Sequence, residues 1–493
     1  MVGFGASRSM EDNRANDILT PRIPSHVSTR LCEHWFAGRL LGGEIQSAAR
    51  TLQRDENCSL HPMKTAVGIT LINNGQLIDG TGAPPVPDAA LLIENGRIRY
   101  AGPAALAPET PRDAEIIDAR GGTIMPGLVE AHFHATYFNI AALEDLDIKY
   151  PVEYVSLLSS VNTRLALECG YTAARSGGCL FNVDVWLKKA IESDLIPGPR
   201  LAASGREICS AGGLMDWNPE FRKIGMEGLV FIINGEEDAR KAVRSLVKDG
   251  VEWVKTYPTG DAASPDVNDH HTLCMTFEEM HAVVGTAHNH KLKVTGHCRA
   301  TQGIKNALRA GYDTIEHGTF MDDEALDLLL ERNTPVIPAL YFEKASIERG
   351  PEFGLSQAVI DGHQETLDGG AESARRILRA GGRLGMGGDY GFGWNPHGDY
   401  AQELVFFVKH VGLTPLEVIR CATKTGAEIM ARGEEFGTLE KGKLADVLVV
   451  KGDPVGDISV LKDRSKFLAV MQGGVIKAGT LAKPFPTVIR VEK

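Results

Sequence analysis

The sequence predicts an α/β chain: a (β/α)8 barrel of the TIM type, with a small β-sandwich domain built from the N- and C-terminal flanks. Two observations carry this. Between Gly127 and Asp389, short apolar runs alternate with amphipathic segments eight times over, a repeat that favours a barrel over an open doubly wound sheet. On either side, runs of β-forming residues are separated by Asn-Gly, Pro-rich and Gly-Gly turns, the pattern of hairpins.

The 493 residues carry a formal net charge of −12, with 43% hydrophobic and 24% charged residues. That is a globular composition, and the chain is long enough for a large enzyme core. No basic patch appears, so nucleic acid is not an expected partner. No apolar run approaches the length of about eighteen residues that a membrane span needs. The opening MVGFGASRSMEDNRAND has no apolar secretory segment. Eight cysteines, at 32, 58, 169, 179, 209, 274, 298 and 421, form no Cys-x-x-Cys pair and suggest no disulfide framework. A reducing cytoplasm fits this usage.

Residues 1–62 are mixed in charge and poorly periodic, and read as a peripheral N-terminal arm or extension. Residues 63–124 form the first part of the β-sandwich domain, with runs at Ile69–Ile78, Ala89–Glu94 and Arg97–Ala101, and a further one at Ile116–Asp118. The barrel spans 125–432. Its strands are read at Gly127–His134, Tyr171–Ser176, Arg200–Ser204, Trp253–Tyr257, Lys293–His297, Asp313–His317, Pro335–Leu340 and Arg383–Asp389. Helices between them include Val152–Glu168, Glu236–Lys248, Phe277–Asn289, Gln302–Ala310, Asp322–Glu331 and Ala371–Ala380, and Thr414–Ala431 follows. Several end in Ala-Gly or Asp-Gly, the signal of a helix C-terminus. Residues 433–493 supply the second part of the sandwich, with strands at Val447–Val450, Phe467–Gln472 and Val475–Ala478.

Catalytic groups of such barrels sit at the C-terminal ends of the strands. Here those ends carry His132 and His134 on strand one, Lys255 on strand four, His297 on strand five, His317 on strand six and Asp389 on strand eight. His132 and His134, at i and i+2, leave the same strand face, with Phe133 turned away. Paired imidazoles on a rigid strand are half of a metal site.

This constellation resembles the amidohydrolase superfamily from about Ile69 to Ile458. Its most specific pieces are Pro126–His134, Ile315-Glu316-His317-Gly318 and Gly437–Asp446. Gly170-Tyr171-Thr172, Gly198-Pro199-Arg200 and Thr295-Gly296-His297 are similar to signposts of the imidazolonepropionase-like and prolidase-like branch, and the chain also resembles the phenylurea and molinate hydrolases. The resemblance implies two divalent metal ions, Zn²⁺ first, with Co²⁺, Mn²⁺ or Fe²⁺ as alternatives. His132 and His134 would bind one ion and His297 and His317 the other, with a CO2-derived carbamate on Lys255 between them. Asp389 would bind the first ion and act as base toward a metal-bridging hydroxide. Tyr257 shares the strand face of Lys255 and would donate to the oxyanion. A small-molecule substrate and a homo-oligomer are implied as well.

The implied activity is hydrolysis of a C–N bond in an amide, peptide, carbamate or urea. Deamination of a heterocycle is the alternative, but Lys255 is present and Cys298-Arg299-Ala300 lacks the glutamate that deaminases carry. Ester or lactone hydrolysis needs the same machinery, and a barrel acting only as a binding scaffold would have lost ligands that this chain keeps. Arg299 is a candidate for a substrate carboxylate, or for pairing with an acid such as Glu316. His397, Trp217 and Trp394 are further candidates for substrate contact, and the two tryptophans with Phe342 and Phe392 favour an apolar or aromatic substrate.

Overall fold

The computed structural model describes residues 68–485, apart from 143, 144, 147, 148, 218–225, 265 and 267. The expected N-terminal arm lies outside the described residues.

The flanks of the chain meet in one sheet. Strands β1 (Ile69–Leu77), β2 (Val86–Glu94), β3 (Arg97–Pro103), β4 (Glu115–Asp118) and β5 (Thr123–Pro126) come from the N-terminal side. Strands β15 (Val447–Val450), β16 (Phe467–Gln472) and β17 (Val475–Ala478) come from the C-terminal side. They run in the order β17-β16-β15-β5-β1-β2-β3, with β4 also beside β1. The turns follow from sequence: Asn95 and Gly96 take φ of 51° and 77°, and Gly473 and Gly474 take 54° and 77°, the double positive φ of a two-residue hairpin turn. Strand β5 was not anticipated. It joins the halves by pairing antiparallel with β15, Met125 opposite Leu448, and Ile72, Leu91, Ile124, Val447 and Met471 pack together beside it.

At Gly127 the chain leaves that sheet for a TIM-barrel-like α/β unit. Its strands are β6 (Leu128–Phe133), β7 (Tyr171–Ser176), β8 (Arg200–Ala202), β9 (Glu207–Ser210), β10 (Val230–Ile233), β11 (Trp253–Thr256), β12 (Lys293–Cys298), β13 (Thr314–His317) and β14 (Val336–Ile337). They form two parallel ladders, β6-β7-β8 and β10-β9-β11-β12-β13-β14. Backbone hydrogen bonds span the gaps: Glu252 N and Trp253 N to Ala203 O at 2.9 and 3.1 Å, Val336 N to Arg383 O at 3.0 Å with Gly385 N to Val336 O at 2.8 Å, and Ala131 N to Met386 O at 2.9 Å.

Three expectations differ from what is seen. Strands β9 and β10 were not foreseen, being four-residue runs without clear alternation. The seventh strand shrinks to Val336–Ile337, because Pro335 and Pro338 on either side have no N–H to donate. The eighth, Arg383–Asp389, makes only an isolated bridge from Leu384 to Val336. Its glycines explain why: a Cβ on Gly387 would lie 2.5 Å from the backbone N of His132. The chain passes too close to β6 there for side chains on that face.

Helices Val152–Glu168 and Phe277–Asn289 fall where the sequence placed them. The second opens on a capping box between Thr276 and Glu279. The helix expected over Ala371–Ala380 begins much earlier, at Gln357. Within it a Cβ at Gly369 or Gly370 would come within 2.7 Å of Phe320 or Leu340, so these glycines serve close packing inside the helix.

A largely buried ion pair helps tie the two parts together. Arg200, opening β8, donates from Nε to Asp446 at 2.7 Å and from a terminal nitrogen at 3.0 Å, and Gly473 N donates to the same carboxylate at 2.7 Å. Asp446 is buried. Asp446→Ala leaves the guanidinium without its partner and is expected to cost about 3–5 kcal/mol of stability, read as a lower urea midpoint.

Candidate metal centre and active site

His132 and His134 leave β6 on one side, with ring centroids 5.1 Å apart, while Phe133 faces His397 and Tyr400. Asp389 meets the pair: its Oδ1 lies 3.4 Å from His134 Nε2 and 3.9 Å from His132 Nε2. These three residues each offer a ligand atom within 4.8 Å of the others, and all are buried. From the neighbouring ladder, His317 brings its ring to 5.4 Å from that of His132, and His297 sits 4.4 Å beyond His317. Lys255 rises from β11, its Nζ hydrogen-bonded to Glu316 Oε2 and 5.1 Å from the Tyr257 ring. The six strand-end residues expected to act together therefore converge.

The backbone is held in an unfavourable conformation at two of these positions. His317 and Asp389 have φ of 66° and 51°, in the left-handed region that residues other than glycine avoid. Asp389 is secured by its neighbours: Glu130 Oε1 accepts from Gly388 N at 3.0 Å, and Asn395 Nδ2 donates to the carbonyls of Gly388 and Asp389 at 2.8 and 3.2 Å.

Burial dominates the electrostatics. It lowers the pKa of all four histidines, and the positive charge of Lys255 acts in the same direction on each; for His134 the value falls to about 3. All four imidazoles are thereby neutral, the form that binds metal. Burial pushes Asp389 up to about 7 and Glu207 up to about 8, partly opposed by Lys255. Glu316 behaves in the opposite way, because Lys255 and Arg175 outweigh its desolvation and hold its carboxyl well below the usual range.

A divalent cation fits this donor set. Both ring nitrogens of His132 and of His317 are buried without a hydrogen-bond partner among the described residues, a costly state unless a ligand accepts their lone pairs. His134 is oriented for the same use. Its Nδ1 lies 3.1 Å from Gly178 O and its ring stacks on Tyr137 at 4.1 Å, leaving Nε2 toward Asp389.

Above the centre opens a cavity of ≈ 370 Å³, reached by His132, His134, Lys255, His297 and Asp389 and walled by Tyr137, Ile140, Leu214, Met215, Phe342, Phe392 and Trp394. The other candidates stand differently. Tyr257 is on the wall, its hydroxyl facing Glu207 and Tyr137. Burial raises its pKa well above the ordinary value, so it stays a proton donor. Arg299 is off the wall. Its Nε bonds Asp261 at 2.5 Å and a terminal nitrogen pairs with Glu343 at 2.7 Å, so its partners are these acids, while Glu316 pairs with Lys255 and Arg175. His397 spends Nδ1 on Tyr400 and Nε2 on the carbonyl of Tyr137, which braces the Tyr137 turn. Trp217 packs behind Leu214 and Met215.

Several contributors escaped sequence reading. Glu207 stands 3.8 Å from His134 Nδ1, and Asp261 Oδ2 stands 3.3 Å from His297 Nε2. Arg175 is fully buried and bonds Ala131 O at 2.8 Å and Glu316 at 2.5 Å. Glu207 lies on the unforeseen β9, and Asp261 in a loop without pattern. Tyr137 alone left a signal, as an aromatic three residues past His134.

Known proteins carry the same organisation. The chain is 26% identical over 441 residues to the ochratoxinase of Aspergillus niger, covering 83% of this chain and 87% of that protein. It is 26% identical over 430 residues to the imidazolonepropionase of Symbiobacterium thermophilum, covering 78% and 91%. Among solved structures, a Xaa-Pro dipeptidase with methionine bound in its active site superposes with a TM-score of 0.74 at 28% identity, over 83% of this chain and 99% of that one. These relatives represent the branch that the motifs resemble. Residues 123–477 match the amidohydrolase family, a span that takes in the barrel-like unit and the strands closing the flanking sheet; the chain belongs to the amidohydrolase family, whose members support a hydrolase role for it.

Proposed function

We propose that this protein is a metal-dependent hydrolase that cleaves a C–N bond of a small apolar or aromatic amide, peptide, carbamate or urea. One observation carries the reading: His132, His134 and Asp389 converge in a buried site beside His297 and His317, with imidazole nitrogens that nothing else in the described protein satisfies. His132, His134 and Asp389 would hold one ion and His297 and His317 a second, with a carbamate on Lys255 as the anionic bridge. This donor set suits Zn²⁺ and also accepts Co²⁺, Mn²⁺ or Fe²⁺. Ions bound there supply a water acidified into the neutral range and a polarised substrate carbonyl.

The residues of the chain do the rest. Asp389 takes a proton from the attacking water and returns it to the leaving nitrogen. Tyr257 donates its hydroxyl toward the oxygen where negative charge develops. Glu130 and Asn395 keep Asp389 in place. Tyr137, Phe342, Phe392 and Trp394 enclose an apolar group and exclude water. Since Arg299 is already paired with two acids, substrate affinity on this reading comes from apolar contact rather than from a carboxylate clamp.

The finer architecture belongs to the same proposal. We read β6, β7, β8, β11, β12, β13, β14 and the segment 383–389 as one closed eight-stranded barrel, spanning 125–432, with β9 and β10 outside that count. We read the flanks, 63–124 and 433–493, as a sandwich, supported by β1, whose first half pairs with β4 and second half with β5 as a strand passing between layers would. Six described cysteines are free thiols, which supports a reducing, cytoplasmic setting. No described helix is long and apolar enough to cross a membrane. A homo-oligomer completes the reading.

Treatment with a chelator should abolish hydrolysis across a panel of anilides, phenylureas, carbamates, dipeptides and N-acyl amino acids. Adding Zn²⁺, Mn²⁺ or Co²⁺ with bicarbonate should restore it. A protein that purifies without transition metal and stays inactive after that addition sinks the proposal. Asp389→Asn should retain metal by elemental analysis while turnover drops about 10²–10⁴-fold; unchanged turnover removes Asp389 as the base. Asn395→Ala, which frees the Asp389 backbone, should lower metal affinity or activity about 10–100-fold.

A further inference from the structure

We propose that His270, His271 and Glu365 form a second, peripheral site for a transition-metal dication of the zinc class, separate from the buried centre. His270 Nε2 lies 3.1 Å from one oxygen of Glu365 and His271 Nε2 lies 3.0 Å from the other. One ligand atom from each residue falls within 4.8 Å of the other two. Zinc with bonds of about 2.0–2.1 Å places tetrahedral ligands about 3.3 Å apart, so the trio needs only small adjustments to close on an ion.

The ligands are prepared for it. The two imidazoles lie 4.5 Å apart and both rest on Phe320, at 5.6 and 4.7 Å, which limits how far either ring can swing. Asp269 accepts from His271 N at 3.0 Å and from the Thr272 hydroxyl at 2.8 Å, fixing the turn that aims both rings at one carboxylate. His270 is buried and its Nδ1 has no partner among the described residues. Glu365 and His271 are half exposed, which leaves a fourth position open to water and a path in for the ion. Without a metal, each neutral imidazole spends its Nε2–H on the same carboxylate. To bind a dication through Nε2, each ring carries its proton on Nδ1 instead, and the two charges of the ion against one carboxylate leave the site cationic.

The placement gives the ion a structural role. The histidines belong to the segment after β11 that brings Asp261 and Ser264 to the cavity wall, and Glu365 belongs to the helix Gln357–Arg379 that brings Val359 and His363. An ion bound by all three straps two walls of the cavity together. This holds whatever reaction the buried centre performs.

The test is a difference in zinc content. Wild type, Glu365→Gln and His271→Ala are dialysed to equilibrium against micromolar Zn²⁺ and their bound metal is measured, with circular dichroism to confirm folding. Both positions are half exposed, and Glu365→Gln preserves shape. The expected result is one zinc fewer per chain in each variant, together with loss of the rise in melting temperature that added Zn²⁺ gives the wild type. Equal zinc in wild type and both variants, whether or not the buried centre fills, overturns the proposal and leaves two histidine–carboxylate hydrogen bonds.

Discussion

Glu316, hydrogen-bonded to Lys255 and to Arg175 with no exposure to solvent, is the interaction on which the centre depends. A carboxylate buried that deeply would take up a proton if left alone. The two cations keep it ionised, and in doing so they spend their own charge inside the protein. Before the proposed carbamate forms, the positive field of Lys255 reaches further, since it adds to burial in keeping His132, His134, His297 and His317 unprotonated; the carbamate would remove that field and leave Arg175 as the cation facing Glu316. A charged floor thus yields four imidazoles with free lone pairs, which is the chemical condition for holding a cation. A buried triad of this kind adds little to stability in itself, but removing one member leaves a stranded charge.

The floor and the cavity above it have different physics. Below, charges are matched in fixed geometry by residues from β6, β7, β11 and β13, so the parallel ladder sets their spacing. Above, the wall is aliphatic and aromatic and its residues come from loops and helices. Glycines mediate between the two levels. A Cβ on Gly177 would lie 2.7 Å from the rings of both His132 and His134, and one on Gly387 would lie 2.5 Å from the backbone of His132. The segments bearing Asp389 and the turn after β7 can approach the histidine pair only because those side chains are missing. Strain at His317 and Asp389 accompanies the same arrangement, turning each side chain inward where the strand stops.

Much of this was legible in the chain. His132 and His134 share a face because a strand has a period of two, and Lys255, His297, His317 and Asp389 stood at successive strand ends wherever apolar runs were long enough to recognise. The helices Val152–Glu168 and Phe277–Asn289 were readable to the residue. Legibility failed where local chemistry and packing disagree. The helix expected over Ala371–Ala380 starts at Gln357, with Gly369 and Gly370 as a contact surface inside it. Arg299 reads as a candidate for a substrate carboxylate or for an acid such as Glu316, but the acids that reach it are Asp261 and Glu343, from a loop and a helix.

By itself the sequence determined the α/β alternation, the turn residues that permit each hairpin, and the residue types able to bind metal, because these depend on neighbours a few positions apart. Only the tertiary structure decided which acids answer which cations, that Glu207 and Asp261 crowd the histidines, that Tyr137 stacks on His134 with His397 bracing it, and that His270 and His271 meet Glu365. Tyr137 and His134 apart, which lie three residues from each other, those partners are separated by tens to hundreds of residues, and nothing local in either partner marks the other.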